Sequence, residues 1–87
     1  MGMALIGARY NHYNWSGWRW LITHLESWGV DVREFRFSND GDFISPETCM
    51  AVADAIEAHL TELDDEVRGW IEPHIDAWRH CGGCSQL

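Results

Sequence analysis

Residues 45–81 read SPETCMAVADAIEAHLTELDDEVRGWIEPHIDAWRHC, and the way this stretch divides decides the fold. Ser45 suits an N-cap, Pro46 suits the first helical position, and Glu47 complements the positive end of a helix. Cys49, Val52, Ala53, Ile56, Leu60 and Leu63 then recur at steps of three and four, which places them on one helical face. Asp54, Glu57, Thr61 and Asp64 form an acidic face on the other side. The same phase runs on through Val67, Trp70, Ile71, His74, Ile75, Trp78 and Cys81. One helix over that whole length would measure about 54 Å, too long for a small monomer and suited to a dimer. A break at Leu63-Asp64-Asp65, with an aspartate capping a further helix, gives a compact hairpin instead. Pro73 lacks an N–H and should kink or divide the last segment, which Gly82-Gly83 then ends.

Upstream, Trp15, Trp18, Leu21, Ile22, Leu25 and Trp28 make a second apolar stripe, with Asn14 as N-cap and Gly29 just past the end. Trp20 lies off that stripe, so it either widens the buried face or is exposed as a contact residue. Strand formers crowd Val32 to Phe37, and Ala4 to Ala8 is a natural partner for them. Ser38 to Asp42 reads as a turn. The expected fold is mainly α: a compact three-helix domain with helices at about 15–28, 46–63 and 65–81, and a short β-hairpin from residues 4–8 and 32–37.

A chain of 87 residues supports one domain, residues 1–87, with a thin core. Six tryptophans offset the thinness, because each can bury roughly 150–250 Å². The net charge of −8 is unevenly placed. Residues 1–39 hold four arginines against three carboxylates, whereas residues 40–87 hold eleven carboxylates against two arginines, and lysine is absent. Direct nucleic-acid binding by so acidic a half is not expected, since phosphate contacts need cations. The field suits a protein partner with a basic surface, or simply a solvated face that keeps a Trp-rich domain in solution.

Three cysteines, Cys49, Cys81 and Cys84, make no even disulfide framework. The start carries no secretory signal, no apolar run reaches a membrane span, and Ile6 breaks a myristoylation pattern, so a cytoplasmic protein is expected. The C-x-x-C at Cys81 and Cys84 has glycines between its thiols and His80 before it, the raw material of a zinc site. Cys49 or a histidine would have to complete that set. The same residues also fit a helix stopped by glycines, with Cys81 packed inside and Cys84 in a loose tail. A redox role is disfavoured, because the motif follows a helix where thiolate chemistry wants a helix N-terminus.

No nucleophile elbow, P-loop or dinucleotide fingerprint is present, and Arg36 occupies the first ligand position of a would-be EF-hand loop ending at Glu47. An enzyme is not expected. Arg9-Tyr10-Asn11-His12-Tyr13-Asn14-Trp15 has the side chains of a recognition loop or, equally, of a lid over a thin core.

Asn14 to Leu21 (NWSGWRWL), the Ser45-Pro46-Glu47 helix start and the ending Trp78 to Gly83 (WRHCGG) together resemble small Trp-rich domains of bacteria and phages with a Gly-Gly ending. The resemblance implies no assigned activity. It fits the compact acidic proteins with which phages and mobile elements block host factors. The leading expectation is a non-enzymatic interaction module, monomer or homodimer. It would present Tyr10, His12, Tyr13, Trp20, Asp54, Glu57, Asp64 and Asp65 to a basic, nucleic-acid-handling protein. The alternatives are a zinc domain using Cys81, Cys84, Cys49 and His80, and a small thiol protein.

Overall fold

Three capping side chains set where the helices begin. The computed structural model describes residues 2–36 and 41–87. Helix α1 (Trp15–Ser27) starts at Asn14, whose Oδ1 accepts the Gly17 N–H at 2.7 Å. Helix α2 (Pro46–His59) starts at Ser45, whose Oγ accepts the Thr48 N–H at 3.3 Å. Helix α3 (Asp65–His80) starts at Asp64, whose carboxylate accepts the Val67 N–H at 2.9 Å. Each such cap contributes about 1 kcal/mol. Between α2 and α3 the chain tightens into a 3-10 turn at Leu60–Glu62, and Leu63 is extended, so the long single helix does not form. Helix α3 continues through Pro73 undivided. Pro73 and Gly69, whose carbonyl loses its donor, are both exposed, so the freed oxygen lies on the solvent side.

The sheet departs further from expectation. Strands β1 (Gly2–Ile6), β2 (Asn11–Asn14), β3 (Phe43–Ile44) and β4 (Cys84–Gln86) form one antiparallel sheet in the order β2-β1-β4-β3. Met3 pairs with Tyr13, Leu5 with Gln86, and Ile44 with Cys84. The chain's last strand is therefore an inner one. The fold is three helices on a four-stranded antiparallel sheet, and residues 4–6 take their partners from β2 and β4 instead of from residues 32–36. Phe37 and the turn residues Ser38, Asn39 and Asp40 lie outside the described residues.

Gln86 explains why residues 34–36 need no ladder. Its side-chain Oε1 accepts the Arg36 N–H at 2.7 Å, and its Nε2 donates to the Glu34 carbonyl at 2.8 Å. Trp18 Nε1 donates to the Arg36 carbonyl at 2.6 Å. A primary amide offers a donor and an acceptor as a peptide does, so one buried side chain stands in for a neighbouring strand. Val32 and Phe35 still pack on the core.

Along the strands Met3, Leu5, Tyr13, Ile44 and Cys84 point inward under the helices, while His12 and Phe43 face out. Trp18 and Trp78 are fully buried among them. Trp78 Nε1 donates to the Tyr13 hydroxyl at 2.8 Å, which satisfies both polar atoms inside the apolar layer.

Gln86→Ala strips the Arg36 N–H and the Glu34 carbonyl of their partners. Both groups are only part-buried, so each costs near the low end of about 1–3 kcal/mol, and a loss of roughly 2–3 kcal/mol is expected. It should appear as a lower urea midpoint, whereas Arg33→Ala on the exposed side of the same segment should stay within about 0.5 kcal/mol.

Candidate metal centre

The helical hairpin brings the start of α2 to the end of α3. Cys49 follows the Ser45-Pro46 cap and is held by its N–H to the Ser45 carbonyl at 3.0 Å. Cys81 caps the C-terminus of α3, with its thiol donating to the Trp78 carbonyl at 3.4 Å. Gly82 and Gly83 then adopt φ of 66° and 97°, the left-handed region, and turn the chain back so that Cys84 opens β4. A side chain at Gly83 is also excluded by space, because a Cβ there would lie 2.5 Å from the Phe43 ring. The Ala8 N–H donates to the Cys81 carbonyl at 3.0 Å and ties this loop to the end of β1.

The result is a cluster of three thiols from three elements, with all sulfur atoms within 4.8 Å of one another. Cys49 Sγ and Cys84 Sγ are 4.0 Å apart. Relative exposures are 1%, 5% and 1% for Cys49, Cys81 and Cys84, and all three are free thiols. The hydrogen bond with Cys84, followed by burial, holds the Cys49 thiol far above the ordinary thiol range. Burial, followed by the contact with Cys49, pushes the Cys81 thiol up to about 11. Such thiols are protonated near neutral pH and shielded, the reverse of what a thiolate nucleophile requires. The backbone of Gly83 works the other way and lowers both values. A bound cation would act in the same sense far more strongly.

Sequence reasoning singled out these cysteines, and the structure brings all three together. It does not bring His80, whose Nε2 faces the Asp76 carboxylate at 3.4 Å on the exposed side of α3. Cys84 is in an inner strand and not in a loose tail, because the two glycines return the chain to the sheet.

The residues expected at a partner surface are dispersed. Tyr10 is 66% exposed just before β2, and His12 is exposed on it. Tyr13, next along the same strand, points inward and is 2% exposed, so its ring belongs to the core. Trp20 is half-buried, stacked on His24 with ring centroids 4.1 Å apart and edge-on to Trp70 at 5.5 Å. It also lines a surface depression of about 420 Å³ with Trp15, Ser16 and Arg19.

On the helices, Asp54 and Glu57 pair with Arg79 at 2.9 and 3.4 Å. Asp64 is spent on the α3 cap, and Asp65 pairs with Arg68. Arg79 and Gln86 were missed in the sequence, because neither carries a pattern that names its partner.

No protein-family model, curated protein or solved structure matches the chain, so the chemistry of the site rests on its own geometry. No helix among the described residues is long and apolar enough to cross a membrane.

His74 packs among aromatic rings, with its ring centroid 4.5 Å from that of Tyr13 and its Nδ1 bonded to Asn11 Oδ1. Burial lowers its pKa below the ordinary value of about 6.5. The unfolded chain therefore binds the proton first, and the stability due to neutral His74 is complete above about pH 6.5 and lost as pH falls below it. Urea titrations from about pH 7 to pH 5 should show a shallower decline for His74→Gln than for the parent chain; equal slopes would refute the assignment.

Proposed function

We propose that the chain is a small metal-binding domain in which Cys49, Cys81 and Cys84 hold one thiophilic ion. The observation that carries this reading is the convergence of three buried sulfurs within 4.8 Å from the start of α2, the end of α3 and β4. An ion bonded at about 2.3 Å to each sulfur keeps sulfur pairs about 4 Å apart, and Cys49 and Cys84 already stand at 4.0 Å. Thiolates suit soft ions, and the cluster includes no oxygen or nitrogen side-chain ligand. Buried sulfurs leave no open position for a substrate, so the ion braces the junction of hairpin and sheet. Its binding energy is then folding energy.

Reduced protein purified without added metal should carry about one soft ion per chain. Removing the ion with a chelator should lower the unfolding free energy, by about 4 kcal/mol if the free ion stood at about 1,000 times its Kd. Cys84→Ser should abolish the chelator effect. Substoichiometric metal by elemental analysis, with a melting curve indifferent to chelator, would sink this reading.

A second reading, a protein-interaction module, is favoured by one feature: Glu62, Asp64, Asp65 and Glu66 are all exposed around the turn that joins α2 to α3. That acidic end suits a basic partner surface such as that of a protein handling nucleic acid. Glu62→Lys with Glu66→Lys cancels the net charge of those four positions and spares the Asp64 cap. In a pull-down at low salt the double variant should lose roughly tenfold in capture of a partner that high salt also releases. A partner indifferent to both salt and the substitutions counts against this reading.

A further inference from the structure

We infer that the ion suited to the three-thiol centre is cuprous copper and not zinc. This rests on the metal-binding reading above and adds the identity of the ion. The donor count comes first. Among the described residues the three cysteines are the only close group of three or more metal-type side chains, and they offer one sulfur each.

The histidines that could have supplied a fourth ligand lie elsewhere, and none joins the sulfur cluster. His24 Nδ1 lies 2.9 Å from the Trp20 carbonyl, and His59 Nδ1 lies 2.9 Å from the Ala55 carbonyl. His59 is also stacked on Trp28 at 4.5 Å. His74 is bonded to Asn11, and His80 faces Asp76. His12 is exposed on β2, whereas Cys84 points to the buried side of the sheet.

Water is the usual substitute for a missing protein ligand, and burial denies it here. Cys81, the most accessible of the three, is 5% exposed. A structural zinc ion is almost always tetrahedral and would be left one ligand short. A monovalent d10 ion is satisfied by three sulfurs in a plane, and copper(I) is the soft biological ion of that kind.

Charge is the second consideration. Three thiolates around one Cu(I) leave two negative charges in the interior, which must be compensated. Cys49 lies in the opening turns of α2, near the positive end of the helix, which offsets part of that charge, whereas Cys81 at the C-terminus of α3 gains no such help. Binding balances as Cu(I) and three thiols giving one copper tris-thiolate and three released protons, with no change of oxidation state.

The test is a pair of competitions on the reduced full chain under anaerobic conditions. Copper(I) is supplied as its bathocuproine disulfonate complex, and zinc(II) is buffered by a chromogenic chelator. One Cu(I) per chain should be retained against about a 100-fold excess of zinc. X-ray absorption should place three sulfurs and no lighter atom in the first shell.

Cys49→Ser and Cys81→Ser should each lose at least about tenfold in retention, while His80→Ala holds copper as the parent does. Circular dichroism of the metal-free variants separates loss of ligand from loss of fold. If a variant is unfolded, the sulfur count in the parent chain decides the matter alone. Displacement of copper by zinc, a first shell with fewer than three sulfurs, or more than one copper per chain overturns the copper assignment. Failure of the parent chain to bind either ion removes the three-thiol centre itself.

Discussion

Strand β4 has a neighbour on each side, and this placement constrains most of what surrounds it. Its backbone closes the sheet between β1 and β3. Its alternation sends Cys84 and Gln86 to the buried side and leaves Ser85 partly exposed. Cys84 thereby meets the start of α2, and Gln86 meets the segment that follows α1. A short strand of three residues thus touches every layer of the molecule, and the left-handed pair Gly82-Gly83 exists to deliver it.

The aromatic side chains solve a different problem. A chain this small has little interior, and its indole and phenol rings carry polar atoms that must be satisfied where they are buried. Trp18 spends its N–H on the Arg36 carbonyl, and Trp78 spends its N–H on Tyr13. The Tyr13 hydroxyl also accepts from Asn11, so Trp78, Tyr13 and Asn11 form one connected set. No buried side-chain nitrogen or oxygen among the described residues is left without a partner. Ring contacts then continue outward through Trp70 and Trp20 to Trp28 and His59, joining the ends of α1 and α2.

The helices were legible because their signals are local. Asn14, Ser45 and Asp64 announce their own helix starts, and stripes at steps of three and four identify the inward faces. The sheet was not legible, because its pairings join residues far apart in sequence. Asn11 to Asn14 looks like a recognition loop, and Cys84 to Gln86 is too short and polar to resemble a strand. Residues 32–37 carried the stronger strand composition, but a side-chain amide met the backbone needs of residues 34–36. At the thiol cluster, the close spacing of Cys81 and Cys84 marked one pair in the sequence. Only the antiparallel course of α2 and α3 adds Cys49 and leaves His80 outside.

The inner position of β4 also orders the steps by which the chain must fold. The α2–α3 hairpin assembles from contacts close in sequence and can form early. The sheet cannot, since pairing Leu5 with Gln86 closes a loop that spans nearly the whole chain. By loop length that closure is expected last, after the α2–α3 hairpin and the local β1–β2 pair. Before β4 docks, Cys84 has no place beside Cys49 and Cys81, so the thiols are expected to become sealed only with that step. The accessibility of the cysteines is thus a clock for the last step of folding.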